Sequence, residues 1–281
     1  MNAPRPSHSR ALRRGLLFHV CRVPRANRDS WGYGLCMTEL VRHTVDLAHV
    51  SQERGGSNRL SAYVARPAGD GPWPGVVMVM EIFGVNDDMR AHADRIAGWG
   101  YEVVVPDLYS DGGARRCLVA TMRSLLTGQG KALVDIETSR QWLLAQPETT
   151  EAVGIIGFCM GGGFALLTCD RDRYAVASVN YGTVPEDVRH ACPVVGSYGA
   201  RDLQNRGAAQ KLEAKLDAAS VEHDIQEYAS AGHAFLNDSM PGPAALAPLW
   251  YVAGFGGTRE DREHAWRRIE DYFGAHLGAS V

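Results

Sequence analysis

Apolar residues along this chain gather into short blocks, separated by stretches of helical period. Residues 75–80 (Gly-Val-Val-Met-Val-Met) and 101–106 are continuous apolar runs, the pattern of strands covered on both faces. Residues 153–156, 175–181, 193–198 and 221–228 read as further strands. Residues 41–50 and 60–65 alternate instead and predict two strands, with Gly55-Gly56-Ser57-Asn58 as their turn. Helical stretches lie between the blocks. They cover residues 89–99, with Asp87-Asp88 as the expected cap, and 115–145, broken near Gly128-Gln129-Gly130. Residues 161–167, 204–219 and 259–276 complete the set. Strands alternating with helices predict an α/β fold: one domain over residues 41–277, a mostly parallel central sheet and helices on both faces.

Composition changes this picture little. The chain has 281 residues, 45% hydrophobic and 22% charged, as a globular domain has. A net charge of −3 gives no electrostatic case for nucleic acid or an anionic membrane as partner. No apolar stretch approaches the ~20 residues of a membrane span. Cys21, Cys36, Cys117, Cys159, Cys169 and Cys192 show no metal-ligand spacing and are too few for a disulfide scaffold. They are read as reduced thiols in a cytoplasmic chain, monomeric or a small homo-oligomer. Residues 1–36 differ from the rest, being rich in arginine with one apolar patch at 15–20. They are expected to be a disordered extension, or the product of an early start codon with Met37 as the alternative first residue. The Arg13-Arg14 pair lacks the apolar segment that an export signal needs.

The candidate chemistry centres on Gly154-Ile155-Ile156-Gly157-Phe158-Cys159-Met160-Gly161-Gly162-Gly163. A buried strand runs into a tight turn and then a helix of small residues. Gly157-x-Cys159-x-Gly161 has the form of a nucleophile elbow with cysteine in the serine position. The glycines admit close backbone at a strained turn, and the helix aims its N–H groups at the sulfur, which favours a thiolate and an oxyanion. The alternative is a glycine-rich turn around a buried thiol. A nucleophile needs a base and the base an orienter, in the chain order nucleophile, acid, histidine. Asp202 follows the strand at 193–198 and His233 follows the strand at 221–228. Both therefore fall at carboxyl ends of strands, where open α/β sheets bind ligands. His233 can take the thiol proton, and Asp202 can fix the ring's tautomer. The other readings are a helix cap for Asp202 and a turn residue for His233.

The chain resembles the dienelactone hydrolase family over residues from about 45 to 275. The matching stretches are Glu81-Ile82-Phe83-Gly84-Val85-Asn86, Pro106-Asp107-Leu108-Tyr109, Gly157-Phe158-Cys159-Met160-Gly161-Gly162, Gly199-Ala200-Arg201-Asp202 and Ala231-Gly232-His233-Ala234-Phe235. The resemblance implies an α/β-hydrolase that cleaves enol-lactones and other esters without a cofactor or metal. It implies Cys159 as nucleophile, Asp202 as orienter, His233 as base, and Glu81 as a carboxylate that contacts the thiol and helps to ionise it. It implies the backbone N–H groups of Ile82 and Met160 as the oxyanion hole. Glu81 also reads on its own as a carboxylate against low dielectric, either a proton acceptor or a structural group holding backbone N–H. Phe83, Tyr109, Arg115, Arg116, Phe235 and Asn237 are the candidate substrate contacts. Two departures stand out. Asn237 occupies the place, four residues after the histidine, of a family arginine that binds a substrate carboxylate; a second such arginine has only Arg115 or Arg116 nearby. Asparagine cannot supply a bidentate charged clamp, so a less acidic ester or lactone is expected as substrate. The loop 237–257, with Trp250, Tyr251 and Phe255, either covers the pocket or packs as surface.

Overall fold

The computed structural model describes residues 13–24, 31–238 and 247–278, with side chains over 39–238 and 249–278. Nine strands form one sheet in the order β1-β2-β3-β5-β4-β6-β7-β8-β9. The apolar runs make its centre: β4 (Trp73–Val79), β5 (Glu102–Pro106), β6 (Thr149–Phe158), β7 (Val176–Asn180) and β8 (Val194–Gly199). Their inward and outward residues are alike buried, because helices cover both faces. With β9 (His223–Tyr228) these strands are mutually parallel. β3 (Ser61–Pro67) joins them antiparallel through β5, and β2 (Trp31–Asp46) pairs antiparallel with β3.

Two glycines fix which helix takes which face. A Cβ on Gly75 would meet Leu143 of α4 (Lys131–Leu144); one on Gly154 would meet Phe273 and Leu277 of α8 (Arg259–Leu277). Gly154 pairs with Val76, the neighbour of Gly75, so the two glycines face opposite sides. α4 and α8 therefore sandwich the sheet. α2 (Asp87–Gly98) shares the face of α8, through Arg95–Glu263 at 3.1 Å and the Trp99–Trp266 edge contact. α3 (Ala114–Thr127) and α5 (Met160–Thr168) pack near α4, and α6 (Ala208–Ala218) covers β8 and β9.

Four local expectations are corrected. The strand expected over 41–50 stops at Asp46, and α1 (Ala48–Glu53) follows. Leu47 and Ser51 are four apart and both buried, a helical spacing, and Ser51 Oγ donates to Asp135 at 2.6 Å. The cap of α2 is Asn86, whose side chain accepts from the Met89 N–H, while Asp87 and Asp88 lie in the first turn. α6 begins at Ala208 rather than 204, after Gly207 in the left-handed region at φ 73°. Within the stretch expected to be disordered, Arg13–Pro24 forms β1, antiparallel to β2, whose backbone already runs from Trp31. Residues 1–12 and 25–30 lie outside the described residues.

Candidate active site

Four candidate residues sit just past the carboxyl ends of parallel strands. Glu81 follows β4, Cys159 follows β6, Asp202 follows β8 and His233 follows β9. The topology thus gathers to one sheet edge residues far apart in sequence.

Cys159 occupies a turn no ordinary residue favours, at φ 55° and ψ −117°. Its N–H donates to Asn180 O at 3.0 Å, and its own carbonyl accepts from Gly162 N at 3.0 Å. The flanking glycines are required sterically. A Cβ on Gly157 would lie 1.9 Å from Gly161 O, and one on Gly161 would lie 2.2 Å from Val79 O. The turn leads straight into α5, whose first N–H, that of Met160, has no helical acceptor.

His233 is held by its backbone and by two rings. Its N–H donates to Gly254 O at 2.7 Å and its carbonyl accepts from Gly256 N at 2.8 Å. Tyr181 and Phe255 flank the imidazole at centroid distances of 5.2 and 5.5 Å. Nδ1 donates to Asp202 Oδ2 at 2.7 Å, and Nε2 lies 3.0 Å from Cys159 Sγ. The Asp202 bond fixes the tautomer that turns Nε2 toward the sulfur. Asp202 also serves the turn beneath it. Oδ1 accepts from the Gln204 and Asn205 N–H groups, and Asn205 Nδ2 donates to Oδ2 at 3.0 Å. Asp202 caps no helix, since α6 begins later behind Gly207; it bonds the imidazole through Oδ2 and the 202–205 turn through both oxygens.

Burial works against an imidazolium at His233, but the contacts with Asp202 and Cys159 outweigh it and push its pKa up to about 10. Burial also opposes the Asp202 anion, and the His233 hydrogen bond and charge nonetheless hold it below its ordinary range. The sign of the stability effect follows. A histidine raised above 6.5 by folding contributes stability that is full below that value and lost as pH climbs through about 10. Asp202→Asn is therefore expected to lower the melting temperature more near pH 6 than near pH 10. Thermal melts at the two pH values check this; an equal or reversed difference contradicts it.

Glu81 is buried at 3% exposure, and the structure gives both its oxygens amide partners rather than the thiol. Asn86 Nδ2 donates to Oε1 at 2.7 Å and Asn237 Nδ2 to Oε2 at 3.2 Å. Burial lifts the Glu81 carboxyl above the usual range despite those two bonds. Asn237 Oδ1 in turn lies 3.1 Å from Nε2 of His92, a ring enclosed by Phe158 and Trp266. Burial pushes His92 down to about 4, so it is neutral, and the direction of the Asn237 amide makes its Nε2 a donor. Asn237→Leu would leave Glu81 Oε2 and His92 Nε2 unpaired in a buried site. A loss of about 2–4 kcal/mol in urea unfolding is expected, and an unchanged midpoint would show that the network carries no stability.

The oxyanion-hole candidates follow neighbouring strands, Ile82 after β4 and Met160 after β6. Among the described residues, neither the Ile82 nor the Met160 N–H donates to another protein group. Tyr109 OH donates to Ile82 O at 2.9 Å and approaches Met160 Sδ at 3.9 Å, so it braces the Ile82 peptide and touches the Met160 side chain. The candidate substrate contacts fare unevenly. Phe83 stands at the rim, 60% exposed. Tyr109 and Phe235 are buried at 4% and 1%, Phe235 against Tyr181 and Tyr228. Asn237 is engaged as described. Arg115 is exposed on the first turn of α3, and Arg116 faces a different cleft. Of the loop 237–257, residues 239–246 lie outside the described ones; α7 (Ala247–Val252) and Phe255 follow, with Trp250 packed on Phe255 and so on the His233 side. Tyr181, Asn205 and His92 were not singled out by the sequence. Only contacts across the fold reveal them, and no local pattern marks them.

Among the described residues, no cluster of three or more His, Cys, Asp or Glu could hold a metal, and no helix is long and apolar enough to cross a membrane.

Known proteins share this arrangement of chain. A family model described as "Dienelactone hydrolase family" matches residues 60–277. A carboxymethylenebutenolidase of Rhodococcus opacus is 28% identical over 72% of this chain and 88% of its own. A Salmonella typhimurium protein, to which the same activity is assigned provisionally by name, is 31% identical over 71% of this chain and 84% of its own. A solved dienelactone hydrolase-like promiscuous phosphotriesterase from metagenomic libraries superposes with a TM-score of 0.71 at 21% identity, covering 85% of this chain and 99% of its own. Sheet order, strand-end residues and sequence similarity converge, and the chain belongs to the dienelactone hydrolase family of α/β-hydrolases.

Proposed function

We propose that this hydrolase cleaves a lactone or carboxylic ester through an acyl-thioester on Cys159. One observation carries the reading: a single imidazole, that of His233, bonds Asp202 at 2.7 Å and stands 3.0 Å from Cys159 Sγ. Sγ attacks the substrate carbonyl while its proton resides on His233 Nε2. The new oxyanion is received by the Ile82 and Met160 N–H groups, which are otherwise unused. The carbon–oxygen bond of the ester breaks and His233 delivers its proton to the leaving alkoxide. Water then attacks the thioester, His233 takes a water proton, and sulfur departs. Asp202 stabilises the imidazolium in both halves. Glu81, with its raised proton affinity, is a second acceptor at the same edge of the sheet. It reaches the thiol by giving up Asn237, the longer of its two bonds.

The mouth favours a neutral, apolar substrate. Phe83, Leu203 and Tyr251 are 60%, 60% and 48% exposed there, an apolar rim that a hydrophobic ester can cover. Leu203 lies against Gly254, whose carbonyl holds His233. Among the described residues this rim offers no unengaged guanidinium to a substrate carboxylate. Arg201, the arginine of this rim, is spent on the Tyr251 ring, with its Cζ 3.5 Å from the centroid. Alkylation of the native chain with iodoacetamide tests the reading. Turnover of p-nitrophenyl acetate is expected to disappear in proportion to Cys159 modified, and unchanged turnover on the fully alkylated protein would rule the reading out.

A further inference from the structure

A second cleft, of about 810 Å³, opens between α3, the start of α4 and the turn before β3. That is the size of a small-molecule site. Leu108 and Cys117 line it, on either side of Tyr109 in the chain, but no member of the Cys159, Asp202, His233 group does. Cys117 Sγ donates to Tyr109 O, whereas the Tyr109 hydroxyl bonds Ile82. Tyr109 therefore links a residue of the cleft wall to the Ile82 peptide.

The lining is cationic, although the chain as a whole carries −3. Arg59, Arg116, Arg123 and Lys131 face the cleft beside only two carboxylates, Asp111 and Asp135. Both carboxylates are occupied. Asp111 pairs with Lys131 at 2.9 Å and accepts the Arg59 N–H at 3.1 Å. Asp135 accepts from Ser51 Oγ, Ser57 N and Ser57 Oγ. Among the described residues no carboxylate then pairs with the Arg59, Arg116 or Arg123 guanidinium. The backbone adds donors. α4 is a 14-residue helix that starts on this cleft behind Gly130, with no side-chain cap and no acidic residue in its first turn. The Lys131 and Ala132 N–H groups are thus available to an anion. Independently of these, Thr121 is 4% exposed and lines the cleft, and among the described residues its hydroxyl has no hydrogen-bond partner. An unpartnered hydroxyl in a cleft wall can bond a ligand there.

We propose that this cleft binds a small organic molecule carrying two or more phosphate or carboxylate groups, at a site separate from Cys159. Guanidinium forks, a lysine and a helix N-terminus together match the oxygens of such a polyanion, and Leu108, Cys117 and Ala120 give its carbon skeleton an apolar floor.

Isothermal titration of the full chain, with pyrophosphate and citrate as separate probes, tests this. Saturable one-to-one binding of at least one probe is expected, weakening as sodium chloride is raised. The two probes separate a phosphate-bearing from a carboxylate-bearing ligand. Arg59→Ala and Arg123→Ala should each weaken binding about tenfold, the loss of one charge-assisted hydrogen bond. Both variants should keep p-nitrophenyl acetate turnover, which shows that they fold and separates this proposal from the chemistry at Cys159. Thr121→Val should weaken binding without altering the salt dependence. The proposal is overturned if neither probe gives saturable binding, if the Arg59→Ala/Arg123→Ala double variant binds as tightly as the native chain, or if a DNA duplex binds in preference to both probes.

Discussion

Cys159→Ala is expected to lower turnover of p-nitrophenyl acetate at least about a thousandfold, the scale at which removal of a nucleophile leaves only binding and oxyanion stabilisation. The fold should survive. Cys159 is only partly buried, its backbone bonds to Asn180 and Gly162 do not use the side chain, and alanine fits the space of the lost sulfur. The melting temperature should therefore stay within a few degrees of the native value, a change of less than about 1 kcal/mol. Steady-state rates and thermal melts on one preparation separate the two effects. A variant retaining a tenth or more of native turnover would place the chemistry on another group.

Gly157→Ala is expected to be the most damaging single methyl group in the chain. Its Cβ would stand 1.9 Å from Gly161 O, 2.3 Å from Gly161 C and 2.7 Å from Gly162 N. All three are backbone atoms of the α5 start, so no side chain can rotate aside. Relief requires moving α5 off β6, yet Gly161 is itself packed against Val79 and Met80 carbonyls and Gly162 against Gly182. A loss of more than about 4 kcal/mol follows, beyond ordinary overpacking, because backbone meets backbone. Urea unfolding should show a far lower midpoint or no folded baseline. Gly207→Ala is a fitting control, since nothing lies within 4 Å of its added Cβ and only the φ of 73° resists the change. A Gly157→Ala midpoint equal to that of the control would mean that the elbow is looser than its distances imply.

What could be read from the sequence was what short-range chemistry encodes. The buried strands were legible because runs such as 75–80 have no polar position to face water. Cys159 was legible because an elbow needs glycine at fixed offsets. Chain order and strand ends are what make Asp202 and His233 the candidates in the sequence, and the fold sets the His233 ring between Asp202 and Cys159. Most of what the sequence left unread has one physical origin, contact between distant segments. His92 and Asn237 are 145 residues apart and meet only in the folded chain. That meeting turns Asn237 from a candidate substrate contact into the amide that holds Glu81. The burial of the Tyr109 and Phe235 side chains, 4% and 1% exposed, is likewise set by the fold and not by the motifs they neighbour. α1 was hidden in an alternating pattern in which Leu47 and Ser51 also fit a helix. Arg116 is near the Asp107-Leu108-Tyr109 loop in sequence, whereas the fold sets it on a cleft that none of Cys159, Asp202 and His233 lines.

The family accounts for the fold and for hydrolysis as a class of chemistry. The identity of the covalent intermediate is the part that this chain's own geometry must carry. Rapid acid quench of the native protein during turnover of p-nitrophenyl acetate, followed by peptide mass spectrometry, examines it directly. An acetyl group on the Cys159 peptide, rising and decaying as fast as product forms, is the expected result. Steady turnover with that peptide unmodified at every time point would contradict the account.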